Sequence, residues 1–114
     1  MTKATLFTQE GLLVGFRLAG HAGYAASGAD IVCSALSAVT HMTAVGLTQV
    51  QGLEPLVKVE DDKGRMVVLV RRQQAQAAQV LLRALELELG AIAQQYPHHL
   101  RIIYAERREF KCFS

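Results

Sequence analysis

The sequence predicts an α+β domain of order β-β-α-β-β-α-β, with two helices packed on a mixed, largely antiparallel sheet. Three observations carry this reading. Near the N-terminus, apolar residues alternate at the period of a strand. Two longer segments, 30–50 and 73–95, repeat apolar residues at spacings of three and four, as helices with a buried face do. Glycines and prolines punctuate the chain between these runs. The 114 residues make a single domain, 1–114, large enough to bury a core without disulfide or metal staples.

Strands at 4–8 and 12–19 flank Gln9, Glu10 and Gly11. Leu12, Val14, Phe16 and Leu18 alternate along the second, and the Glu-Gly turn makes a hairpin the simplest join. The segment 20–28 holds Gly20, Gly23 and Gly28 and reads as a loop. A helix over 30–50 follows, striped by Val32, Leu36, Val39, Thr43, Gly46 and Val50, and Ser27 with Asp30 resembles a capping box at its start. Gly52 and Pro55 end it.

Strands at 56–60 and 66–71 form a second hairpin. The unbroken apolar run from Met66 to Val70 places the latter strand inside the sheet. The second helix, 73–95, buries Ala78, Leu81, Leu82, Leu85, Leu89 and Ile92. Val80, Ala84, Leu87 and Ala91 make its other side apolar too, a surplus that a subunit interface would cover. The Gln- and Ala-rich run 73–79 reads as helix surface. Pro97 stops this helix, and 100–109 forms the fifth strand.

Composition narrows the function classes. Hydrophobic residues at 51% and charged residues at 19% mark an ordered chain. A formal charge of +2 makes no case for nucleic acid, which the reading does not require. Arg101, Arg107, Arg108 and Lys111 gather late but interleave with Glu106 and Glu109, as on a solvated strand face. Two cysteines, Cys33 and Cys112, form no disulfide framework and fit a reducing compartment. The N-terminus lacks the apolar core of a signal peptide, and no apolar run is expected to span a bilayer. The expected location is cytoplasmic, with no membrane partner.

The chemistry concentrates at His21 and Cys33. Cys33 falls within the first two turns of its helix, where free N–H groups and the positive end of the helix dipole favour a thiolate. A small buried hydrophobe is the other reading of such a cysteine. His21 precedes it by twelve positions, so the glycine-rich loop must fold back to bring base and nucleophile together. Otherwise His21 simply ends its strand. Asp30 either caps the helix or accepts from the second nitrogen of His21. Ser37, one turn beyond Cys33, either reaches the site or bonds back to the helix. Cys112 reads as an incidental thiol.

Metal and nucleotide sites are poor fits. Cys33 and His41 are eight positions apart on one helix, a rise of about 12 Å, too far to share one zinc. His98-His99 lacks ligand spacing, and Gly20–Gly28 lacks the Gly-Lys-Ser/Thr ending of a phosphate loop. No metal and no cofactor is expected.

The block Gly20-His21-Ala22, Gly28, Asp30-Ile31-Val32-Cys33 and Ser37 resembles the ribosomal-processing cysteine proteases, the Prp family. Ser34 departs from the alanine common there. The resemblance implies a small α+β fold, Cys33 as nucleophile and His21 as its base. It also implies a substrate, the precursor of the twenty-seventh protein of the large ribosomal subunit, whose N-terminal extension is cut after paired aromatic residues. A homodimer is implied as well. The loop 22–29, freed by Gly20, Gly23 and Gly28, is expected to close over the peptide. The rival readings are a non-catalytic ribosome-associated binding module and a thiol redox sensor.

Overall fold

The computed structural model describes residues 1–20, 29–60 and 65–107. Its first turn is set by two residues, Glu10 at φ 51° and Gly11 at φ 82°, the left-handed pair that a two-residue hairpin loop needs. They join β1 (Thr2–Gln9) to β2 (Leu12–Ala19), with Gln9 opposite Leu12. The first strand thus starts earlier than the expected residue 4, because Thr2 and Lys3 continue the ladder against Leu100 and Arg101 of the last strand.

The alternation expected along β2 is broken once. A bulge between Phe7 and Thr8 pairs Phe7 with Gly15 but Thr8 with Leu13, leaving Val14 as the extra residue. Leu13 and Val14 are both buried in the core as a result. Gly15 is required here, since a Cβ on it would lie 2.2 Å from the backbone carbonyl oxygen of Val68.

Helix α1 (Ala29–Val45) runs on into a π-helical turn, Gly46–Val50, so the helical span ends at the expected residue. Thr40 and Thr43 are buried on it because their hydroxyls donate to the Leu36 and Val39 carbonyls at 2.6 and 2.7 Å. Val50, expected in the buried stripe, is 80% exposed instead, on the turn that leaves the helix. A second correction concerns hydropathy. Ile31–Val50 is long and apolar enough to cross a bilayer by length and composition, contrary to expectation. In this fold Val32, Leu36 and Leu47 of that run are buried in the core shared with the sheet.

The second hairpin joins β3 (Leu56–Glu60) and β4 (Arg65–Leu69), the latter starting one residue and ending two residues earlier than expected. A 3-10 turn at Arg72–Gln74 then leads into α2 (Ala75–Gln95), and β5 (Leu100–Glu106) follows. The expected end of this strand at 109 lies outside the described residues. Strand order is β3-β4-β2-β1-β5, with β5 parallel to β1 and every other pair antiparallel. The expected α+β fold and its mixed sheet are therefore observed, and β4 is interior as its apolar run implies.

The run 73–79 is not the plain helix surface expected. Ala75 is buried beside Ala78, whose burial was expected, and the Gln79 amide pairs with both backbone groups of Leu13. Its Oε1 accepts from the Leu13 N–H at 3.1 Å and its Nε2 donates to the Leu13 carbonyl at 2.7 Å. That amide serves Leu13, beside the bulged Val14, as a neighbouring strand would. Leu82, Leu85, Leu89 and Ile92 of α2 are buried as expected, whereas Leu81 is half-buried and lies where a Cβ on Gly46 would meet it. Val80 and Leu87 are exposed.

Candidate active site

Cys33 is a free, half-buried thiol on α1, four residues after Ala29 where the helix begins. The free N–H groups of a helix belong to its first turn, so those of α1 lie just N-terminal to the thiol. Along the same side of α1, Ser37 and His41 follow at intervals of one turn. All three line a cavity of about 610 Å³ between α1 and one end of the sheet.

The sheet contributes the opposite wall. Leu18 and Gly20 come from the end of β2, Val59 from β3, and Arg65 and Met66 from the start of β4. Leu18, Val59 and Met66 make that wall apolar and Leu36 of α1 faces them, while Arg65 from the sheet and His41 from the helix supply polar atoms at the border of the cavity. Such a cavity suits a peptide with apolar side chains, bound beside a nucleophile. Among the described residues no group of His, Cys, Asp and Glu is placed to hold a metal ion.

The predicted site residues divide as follows. Cys33, Ser37 and Gly20 meet at this cavity. Asp30 is the second residue of α1, in its first turn. His21, Gly23, Gly28, the loop 22–28 and Cys112 lie outside the described residues. Arg65, Val59 and Met66 were not legible as site residues, because only the pairing of β3 and β4 with β2 carries them to α1. His41 carried a faint signal, since it sits two turns beyond Cys33 on one helix.

A model of the family described as cysteine protease Prp matches residues 1–101. The chain belongs to the Prp family. As a Prp protein it is a cysteine protease, which sets aside the non-catalytic module and the redox sensor. The ribosomal processing cysteine protease Prp of Bacillus subtilis is 28% identical over 94 residues, covering 79% of this chain and 84% of that one. Solved structures share the fold. Prp from S. aureus, in complex with a substrate peptide, superimposes with a TM-score of 0.84 at 22% identity, over 92% of this chain and all of that one. The same enzyme with a covalently linked product peptide gives 0.81 at 23% identity, with the same coverage. A Streptococcus mutans protein gives 0.82 at 24% identity, over 94% of this chain and 96% of its own.

Proposed function

We propose that this protease removes the N-terminal extension from the precursor of the twenty-seventh protein of the large ribosomal subunit, using Cys33 as nucleophile and His21 as base. The observation that carries the reading is the position of Cys33. It is a half-buried thiol at the start of α1, lining a peptide-sized cavity whose rim includes Gly20, the residue directly before His21. The S. aureus relative binds a substrate peptide and forms a covalent link to a product peptide, which supports acylation of a thiol as the chemistry.

In this reading the Cys33 thiolate attacks the scissile carbonyl carbon, and the carbonyl π electrons move onto oxygen. Free N–H groups of the first turn of α1 supply hydrogen bonds to that oxyanion. The intermediate collapses, the C–N bond breaks, and His21 gives its proton to the leaving amine. Water then attacks the thioester with His21 taking its proton, releasing the carboxylate product and the thiol. Asp30, inside the first turn of α1 and not at its cap, serves as the acceptor that orients His21, and Ser37 meets the substrate in the cavity. The enzyme works in the cytoplasm as a homodimer, without metal or cofactor.

The test uses the extended ribosomal protein and mass spectrometry of its N-terminus. Cys33→Ala and His21→Ala are each expected to abolish cleavage, and the double variant to be little worse than either, because the pair acts as one unit. Circular dichroism establishes that each variant is folded. Turnover that survives in folded Cys33→Ala sinks the mechanism.

A further inference from the structure

The two faces of the sheet differ in charge as well as in cover. Ala4, Leu6, Phe16 and Val68 join the core with the helices, and among the described residues no helix packs on the opposite face. Strand register places Lys3, Arg17, Lys58, Arg65 and Arg101 on that opposite face, one from each strand. Arg107, just past β5, holds its guanidinium 5.6 Å from the centre of the Phe7 ring on the same side. Glu60 is the acid among them, 3.7 Å from Lys58.

The period of the strand explains why this was not visible in the sequence. Arg101 and Arg107 fall on one face of β5, whereas Glu106 between them points to the other. What reads as mixed charge along the chain is sorted in space.

Three features make this face more than a solvated surface. Lys3, Arg17, Arg65 and Arg101 are exposed and have no salt-bridge partner among the described residues. Lys3 stands directly opposite Arg101, and like charges so placed work against folding. Finally, Arg17, Lys58 and Arg65, three cations to the one carboxylate of Glu60, border a depression of about 300 Å³, room for a phosphate group and its water.

We propose that this open sheet face docks the phosphate backbone of RNA and so holds the protease against a ribosomal particle. The basic stripe crosses five strands, about 19 Å at about 4.8 Å per strand, so it suits a polyanion rather than a single anion. The choice of RNA over other polyanions rests on the ribosomal-processing reading above. A protein that itself binds ribosomal RNA carries positive charge, so this face is not built for the body of the substrate. Phe7, Val67 and Ile103 share this face by register but are half-buried, so the side chains that stand clear across its middle are the charged ones, and a lipid surface is left as an outcome of the test. Arg65 belongs both to this face and to the Cys33 cavity, so docked RNA lies beside the site without filling it.

The test measures binding of fluorescein-labelled oligouridylate to the full chain across a salt series. The triple variant Lys3→Gln, Arg17→Gln, Arg101→Gln removes charges that lie outside the Cys33 cavity. It is expected to lose at least about tenfold in affinity at low salt and about 2 units of the slope of log K against log salt, at about 0.7 per phosphate contact. Its thermal midpoint is expected to rise, because the Lys3–Arg101 repulsion is gone. Arg72→Gln with Arg83→Gln, which removes the same kind of charge from the helix side, is expected to leave RNA affinity unchanged. Unaltered affinity in the triple variant, an equal loss in the helix-side variant, or binding to phosphatidylserine vesicles but not to RNA overturns the proposal. Cleavage of a short extended peptide, which has no phosphate, is measured separately and decides the protease reading alone.

Discussion

At the scale of single residues, Tyr104 and Glu86 show how a surface contact becomes measurable. The Tyr104 hydroxyl donates to the Glu86 carboxylate at 2.5 Å, tying β5 to α2, and Arg83 pairs with the same carboxylate. This hydrogen bond, then desolvation, then the Glu86 charge raise the tyrosine above its ordinary value of 10.0. The bond needs the neutral phenol. A folded-state value above the unfolded one means that the contribution to stability is complete below about pH 10 and is lost as pH rises through the folded value. Absorbance titration at 295 nm is expected to show a late-ionising component that Tyr104→Phe removes, and Glu86→Gln to bring its midpoint down. An unchanged titration in that variant would mean that the hydrogen bond does not hold the proton.

At the scale of elements, the junction of the β2 bulge with α2 concentrates the stability of the fold. Val14 leaves the regular ladder at the bulge, and Gln79 answers both backbone groups of its neighbour Leu13. Gln79→Leu keeps the volume but strands a donor and an acceptor in a partly buried place. A loss of about 2–3 kcal/mol is expected from urea unfolding, where a plain surface glutamine would cost less than about 0.5 kcal/mol. Gly15→Ala tests the same region from the other side. Its new methyl group meets the Val68 carbonyl, a backbone atom that cannot swing aside, so β2 and β4 must part. Loss of soluble folded protein, or destabilisation of at least about 2 kcal/mol, is the expected outcome. Gly46→Ala meets only the far end of Leu81 and should be milder, which makes it the control.

At the scale of the whole molecule, the exposed apolar side of α2 bears on assembly. Val80 and Leu87 are seven residues apart, so they share a helix face, and they are 77% and 67% exposed. Such residues on a long helix suit a twofold contact with a second copy of the chain. If α2 forms the proposed homodimer interface, Val80→Glu with Leu87→Glu is expected to halve the mass seen by light scattering while the fold persists. A mass unchanged by these substitutions would place the contact elsewhere, and the exposed Ile31, Met42 and Val50 of the first helical span would be tested next.

The sequence by itself determined the order of elements and the family. Those depend on local signals: periods of two and three-to-four, a left-handed Glu10-Gly11 turn, and the spaced block from Gly20 to Ser37. It could not show that Leu13 turns inward, since a bulge shifts a strand by one residue without leaving a mark in the pattern. Gln79 read as surface for the same reason, because its partner lies 66 positions away in the chain. The far wall of the Cys33 cavity, with Val59, Arg65 and Met66, and the gathering of basic side chains on one sheet face were likewise decided by tertiary structure. Strand pairing sets which residues share a face and which strand ends meet a helix, and neither is encoded within any one segment of the chain.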